Sequence, residues 1–222
     1  MTDAQPNGAA EPPAEIGPAG SVQAWRRERR QALLERRMGL AADVRARWQS
    51  AMDRRFAEGF PQLLQAGARV ALYWPHRGEY DPRELAARLR SHGTRVLLPV
   101  IVAPAAPMVF REWQGDAALH AGPHGIAQPA DGPDVLPSVI VAPAVGFDAA
   151  GYRLGYGGGY FDRTLAALAP RPLLIGCAHE FARLDTLHPQ AHDIPLDYVV
   201  TEAALYRRED GRLVQISPQR PG

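Results

Sequence analysis

The stretch that most constrains this chain is Gly151-Tyr152-Arg153-Leu154-Gly155-Tyr156-Gly157-Gly158-Gly159-Tyr160-Phe161-Asp162-Arg163. An apolar run, Val139 to Pro143, precedes it and reads as a buried strand; Thr164 to Leu168 follows and reads as a helix. Four glycines fall within five residues, at 155, 157, 158 and 159. Glycine at that density lets backbone approach a ligand closely and adopt positive φ. A glycine-rich turn from strand to helix aims backbone N–H groups and the positive end of the helix dipole at one point, which is an anion site in outline. A flexible surface loop or a hairpin turn is the plainer alternative.

The spacing excludes the common phosphate loops. A Walker A loop needs Gly-Lys-Ser/Thr, and neither Lys nor Ser occurs in this stretch. The dinucleotide fingerprint fails because Tyr160 stands where a third glycine is required. Arg153 opens the loop with a guanidinium that can grip phosphate oxygens bidentately. Asp162 closes it with a carboxylate suited to a Mg²⁺ shared with phosphates.

The rest of the chain reads as an α/β domain. Its 222 residues are ample for one core. Residues 1–20 are rich in Ala, Pro, Gly and Glu and lack aromatics, so a disordered tail is expected. The domain is placed at 21–206, with 207–222 as a polar C-terminal end. Ser21 reads as an N-cap for a helix to about Met38; Ala42–Glu58 reads as a second helix with Val44, Trp48, Met52 and Phe56 as its apolar stripe. Strands are expected at Arg69–Trp74, Arg95–Val100, Met108–Trp113, Arg171–Ala178 and Tyr198–Glu202, with a helix over Arg83–Ser91. Strand, helix, strand within about thirty residues is a parallel βαβ unit, and ligands bind beyond the carboxyl ends of such strands. Trp74 and Glu79 fall in that region.

Composition removes several function classes. A formal net charge of +1 gives no global argument for nucleic acid or a membrane surface. No run approaches spanning length. The start lacks the pattern of a secretory signal. One cysteine fits a reducing compartment, and Cys177, at the end of an apolar strand, reads as structural. Arg26, Arg30 and Arg37, spaced by four and seven, share one helix face. That face alone reads as a solvated basic stripe, with a nucleic-acid module, in which helix arginines bind phosphates, as the alternative. His120 and His124 lack a cluster, and Pro189 argues against a helical metal pair at His188 and His192.

The segment Phe147-Asp148, Gly151, then Arg153 through Arg163 resembles the signature of the 5-formyltetrahydrofolate cyclo-ligase family, Phe-Asp, a short gap, then Gly-x-Arg-Leu-Gly-x-Gly-x-Gly-Tyr-Tyr-Asp. The chain departs in carrying Phe161 for the second Tyr, and the likeness runs from about Trp25 to about Glu202. The resemblance implies a three-layer sandwich with a mainly parallel sheet, like sugar-phosphate isomerase and CoA-transferase relatives, with added N-terminal helices. It implies ATP- and Mg²⁺-dependent cyclisation of 5-formyltetrahydrofolate to 5,10-methenyltetrahydrofolate in a cytoplasmic monomer that binds neither nucleic acid nor membrane. The alternative is another nucleotide-dependent ligase or a sugar-phosphate enzyme on the same scaffold.

By the same resemblance, Arg26 and Arg30 match a Lys-x-x-x-Arg element that reaches the nucleotide phosphates, with Arg at the Lys position. ATP would lie against Arg153, Leu154, Gly155, Tyr156, Gly157, Gly158, Gly159, Tyr160 and Phe161. Arg153, Tyr160 and Glu79 would be catalytic. The folate would meet Trp74, Glu79, Met108, Trp113 and residues 156–160; Gly78-Glu79-Tyr80-Asp81 matches the element that offers a carboxylate to the pterin. Met108 and Trp113 read equally as core. Glu79 alone reads as a loop or helix-start charge, and Asp193 alone as a turn residue. The family's two magnesium carboxylates fall on Asp162 and Asp193.

Overall fold

The structure, a computed structural model, describes residues 21–115 and 118–217. The tail expected over 1–20 and the last five residues of the polar end lie outside that range.

The chain opens with α1 (Val22–Met38), whose Ser21 side chain accepts from the Ala24 amide as the N-cap pattern predicts. Then come α2 (Ala42–Gly59), β1 (Arg69–Ala71), α3 (Arg83–Ser91), β2 (Arg95–Val100) and β3 (Val109–Glu112). A connection carrying β4 (Leu119–Ala121) and β5 (Ala127–Pro129) leads to β6 (Val139–Pro143), β7 (Gly146–Asp148), β8 (Arg153–Leu154) and α4 (Tyr160–Ala167). The chain finishes with β9 (Leu173–Cys177), β10 (Arg183–Leu184), β11 (Tyr198–Val200), β12 (Leu205–Glu209) and β13 (Arg212–Ile216).

One eight-stranded sheet runs β13-β12-β11-β9-β6-β1-β2-β3. Its five inner strands, β11, β9, β6, β1 and β2, pair in parallel. The flanking strands pair antiparallel. Alternation along the inner strands explains why both faces must be covered. Val70, Val96, Leu98, Val139, Val141 and Ile175 face one core, with Met52 and Phe56 of α2 and Leu85 and Leu89 of α3. Ala71, Leu97, Ile140, Ala142 and Leu174 face the other, with Leu165 of α4. Strands buried on both faces read as continuous apolar runs, which is how β6 and β9 appear in sequence.

Two local expectations change. Residues 207–216, read as a polar end, form most of the β12–β13 hairpin that closes one edge of the sheet; antiparallel edge strands keep one polar face, so their apolar content is low. The glycine stretch does not leave β6 directly. A hairpin, β7–β8, intervenes and joins β10 in a separate three-stranded sheet. Leu33 of α1 packs on that small sheet with Leu154 and Leu187, so the arginine face of α1 is turned towards the loop.

Asp148 closes the hairpin. Its buried carboxylate accepts from the amides of Ala150 (3.0 Å), Tyr152 (2.9 Å) and, on its other oxygen, Leu187 (2.9 Å). The Phe-Asp element is therefore a turn device that also fixes the segment leading to Asp193. Asp148→Ala strands three amides and is expected to cost about 2–4 kcal/mol, with Asp148→Asn losing less because its carbonyl still accepts. Urea denaturation checks this; equal midpoints for wild type and Asp148→Ala would contradict it.

Candidate active site

The glycine loop runs from the end of β8 into α4, with Gly159 as N-cap in the left-handed region (φ +64). That conformation starts the helix at Tyr160, four residues before the expected Thr164, and leaves the first amides of α4 without a side-chain cap. Gly157 also has positive φ (+96). A Cβ there would lie 3.5 Å from the Arg30 guanidinium, whereas one at Gly155 would meet nothing within 4 Å.

Three arginines of α1 reach this region. Arg26 forms an ion pair with Asp193 (2.6 Å) and also donates to the carbonyls of Leu187 and His188. Arg30 donates to the Gly155 carbonyl at 2.6 Å. Arg37 donates to the Tyr156 hydroxyl at 2.5 Å and to the Arg77 carbonyl at 2.9 Å. The helix spacing that put these residues on one face is thus used against three separate segments.

Asp162 and Asp193 lie in one cluster. Arg153 pairs with Asp162 at 2.9 Å, and Asp162 accepts from the amide of Ile194, the residue after Asp193. Burial lowers the affinity of the Arg153 guanidinium for its proton, against the pull of Asp162 and Asp193. Burial acts to raise the Asp193 carboxyl, but the Arg26 hydrogen bonds and the Gln190 amide outweigh it and hold it below the usual carboxylate range. Among the described residues no three His, Cys, Asp or Glu side chains gather as a metal cage. Two carboxylates beside an anion loop nevertheless fit Mg²⁺, which takes one or two from protein and fills its shell with phosphate oxygens and water. In this structure arginines neutralise both.

Opposite the loop, Glu79 is buried past the carboxyl end of β1. Its Oε1 accepts from the Tyr156 hydroxyl (2.8 Å) and its Oε2 from the His76 amide (2.9 Å). Burial pushes its carboxyl up, opposed by Arg37, the Tyr156 hydroxyl and the His76 amide. Tyr156 therefore ties the glycine loop to the expected pterin carboxylate. Beside them, Arg37, Glu79, Tyr80, Ala144, Cys177, Ala178 and His179 line a cavity of about 10 Å³. These groups follow the ends of β1, β6 and β9, where the parallel-sheet rule puts ligands.

The remaining candidates are distributed. Tyr160 stands at the first turn of α4 under the Arg163 guanidinium, and Phe161 lies under that of Arg153. A Cβ at Gly158 would fall 2.9 Å from the Tyr160 ring. The Leu154 side chain is core. Trp74 meets Trp113 edge-on, with ring centres 5.6 Å apart, and Arg90 covers Trp113. Met108 instead donates its amide to the Thr164 hydroxyl of α4, on the other side of the sheet from the core that holds Trp113. Cys177 is buried and its thiol pushed up by that burial, which suits a structural role. Sequence reasoning counts Arg37 only as part of a basic face and passes over His76 and His179. The available signal is Arg37's place one turn after Leu33, on the side of α1 that has to be buried.

The sequence model of the 5-formyltetrahydrofolate cyclo-ligase family matches residues 22–202. The 5-formyltetrahydrofolate cyclo-ligase of Escherichia coli (strain K12) is 34% identical over 154 residues, spanning 66% of this chain and 84% of that protein. That of Mycolicibacterium smegmatis is 32% identical over 183 residues, spanning 78% and 91%. Among solved structures, the 5,10-methenyltetrahydrofolate synthetase of Aquifex aeolicus superposes with a TM-score of 0.72 at 31% identity, covering 86% of this chain and 96% of that one. The synthetase from Mycoplasma pneumoniae, at 22% identity and TM-score 0.64, shares the fold.

The glycine geometry separates two kinds of loop position. Gly157→Ala is expected to destabilise the fold by about 1–2 kcal/mol, because an L side chain is strained at its φ. Gly155→Ala should leave stability within about 0.5 kcal/mol yet raise KM for the nucleotide severalfold, because the open space at Gly155 is where a ligand would come close. An unchanged nucleotide KM in Gly155→Ala would contradict that placement.

Proposed function

The chain belongs to the 5-formyltetrahydrofolate cyclo-ligase family, and from that membership we propose that it converts 5-formyltetrahydrofolate to 5,10-methenyltetrahydrofolate with ATP, releasing ADP and phosphate. The observation that carries the proposal is one local arrangement. A glycine loop flanked by Arg153 and Asp162 is joined through Tyr156 to the buried carboxylate of Glu79. Anion-binding and folate-orienting groups thus meet on one short segment.

The chemistry asks for such a site. A formamide carbon is a poor electrophile, and its oxygen a poor leaving group. Attack of that oxygen on the γ-phosphorus of ATP breaks the bond to ADP and turns the oxygen into a phosphate ester. Nitrogen 10 then attacks the formyl carbon and gives up its proton, and phosphate departs with the former formyl oxygen. No covalent enzyme nucleophile is required, so positioning and charge neutralisation supply the rate. Arg153, Arg26 and Arg30 would hold phosphate oxygens, together with the loop amides and the α4 N-terminus. Asp162 and Asp193 would hold Mg²⁺, which when bound neutralises phosphate charge. These are the two carboxylates that Arg153 and Arg26 pair with in this structure. Glu79 would accept N–H bonds from the pterin, Tyr160 would border the reacting groups, and Trp74 would flank the folate.

The finer fold likeness, to sugar-phosphate isomerase and CoA-transferase relatives, belongs to the same proposal; helices on both faces of the sheet support it. So do a monomeric, cytoplasmic enzyme and the absence of a nucleic-acid role. Arg26, Arg30 and Arg37 are engaged with carboxylates, carbonyls and a hydroxyl of their own chain rather than offered as a free basic stripe. No helix among the described residues is long and apolar enough to cross a membrane.

Near-ultraviolet absorbance of the methenyl product, followed with ATP and Mg²⁺ and in an ATP-free control, tests the activity. An ATP-dependent rise is expected. Asp162→Asn, which keeps an acceptor for Arg153, should fold and lose at least about a hundredfold in kcat, the scale on which charge-stabilising groups act. Unchanged kcat/KM in that variant would contradict the metal assignment, and no rise with wild type would contradict the activity.

A further inference from the structure

Arg37 is the charged side chain on the buried side of α1, 3% exposed. Its guanidinium meets four groups from three segments. Nε donates to the Arg77 carbonyl (2.9 Å), Nη1 to the Ala144 carbonyl (3.4 Å) and Nη2 to the Tyr156 hydroxyl (2.5 Å). The same Nη2 stands 3.8 Å from Glu79 Oε1. Tyr156 in turn donates to that Oε1 at 2.8 Å. The chain of contacts runs from guanidinium to phenol to carboxylate.

A buried charge without a partner costs several kcal/mol, so an arginine is kept here only where its partners use it. The fork geometry of guanidinium explains the residue type: one group spans two carbonyls and a hydroxyl at once, which an ammonium does not. We propose that Arg37 is a positioning residue for the cyclisation, holding Glu79 and Tyr156 in register and keeping Glu79 ionised to receive the pterin. The inference rests on the assignment of Glu79 to the pterin.

The surroundings of Glu79 leave that task to Arg37. Tyr73 and Cys177 face the carboxylate from β1's extension and β9, and burial pushes both up, so they stay neutral; Tyr80, also pushed up by burial, turns its hydroxyl to Asp53. Tyr156, from the glycine loop, is likewise pushed up by burial and donates as a neutral phenol. His76 offers its amide, while burial and the nearby arginines hold its ring below the usual histidine value. His179 shares the cavity and favours the charged carboxylate more weakly than Arg37 does. Burial raises the Glu79 carboxyl, and Arg37 is the largest opposing influence. Two of about four acceptor positions on the carboxylate are used by Tyr156 and His76, which leaves capacity for substrate N–H groups. The cavity between Arg37, Glu79 and His179 is about 10 Å³, room for about one water.

The test is the pH dependence of kcat/KM for 5-formyltetrahydrofolate in Arg37→Met, Arg37→Lys, Glu79→Gln and the Arg37→Met/Glu79→Gln pair. Activity needs ionised Glu79 and falls as pH drops through its pKa. Removing the cation raises that pKa further, so Arg37→Met should move the acid limb up by about one pH unit. Arg37→Lys, which keeps the charge but not the fork, should hold the limb within about 0.3 unit while raising KM for the folate and not for ATP. On the Glu79→Gln background, adding Arg37→Met should change folate KM by less than about twofold, the non-additivity expected of one coupled unit.

An acid limb that stays in place in Arg37→Met, or equal losses on both backgrounds, would overturn the proposal and leave Arg37 a structural residue. If Arg37→Met does not fold, Arg37→Lys decides: equal increases in KM for folate and ATP overturn it. Glu79→Gln with unchanged folate KM and an unchanged limb would instead remove the pterin assignment itself.

Discussion

Three guanidinium groups on one face of α1 hold the site together. Arg26 fastens the segment from Leu187 to Asp193, Arg30 fastens Gly155, and Arg37 fastens Tyr156, Arg77 and Ala144. These segments are far apart in sequence and come from different loops after β1, β6, β8 and β10. Their other ties are the small β7–β8–β10 sheet, the Asp148 carboxylate, the Asp162–Ile194 contact and the Tyr156–Glu79 hydrogen bond. Arginine suits the purpose because its fork satisfies several acceptors from a fixed direction, and because it stays charged when partly buried.

Ion pairs set the electrostatics beside the glycine loop. Two carboxylates and two arginines, Asp162 with Arg153 and Asp193 with Arg26, neutralise each other beside the glycine loop. In the proposed reading all four groups would serve a metal–phosphate complex; in this structure the carboxylates also accept from the amides of Ile194 and Gln190. Ion pairs of this kind contribute little net stability, since desolvation offsets most of the attraction. Glu79 differs: it is more deeply buried, with Tyr156 and Arg37 as fixed partners.

Much of this is legible in the residues. The extents of α3, β2 and β6 follow from apolar periodicity and punctuation, and Ser21 announces α1. The glycine spacing, with Arg153 and Asp162 at its two ends, marks the loop by residue type alone. Pairing across distance is what local pattern does not carry. Asp148 looks like part of a signature, but its role depends on an amide at Leu187 that no local pattern connects to it. The β12–β13 hairpin reads as polar because an edge strand has one wet face. The Met108 amide is tied to Thr164 of α4 while Trp113 packs against Trp74, pairings that proximity in sequence does not show. Arg37 is recognised as an interior charge only once Leu33, one turn earlier, is known to be buried.

In the proposed reaction the formyl oxygen is activated by phosphoryl transfer, and the chain uses no covalent nucleophile of its own. The most direct measurement is the fate of that oxygen. With 5-formyltetrahydrofolate labelled with heavy oxygen in the formyl group, the released phosphate should carry one labelled atom per turnover in mass spectrometry. Unlabelled phosphate, with the heavy oxygen recovered in water, would mean that the formyl oxygen leaves by another route, and the phosphoryl-transfer reading of the glycine loop would fail.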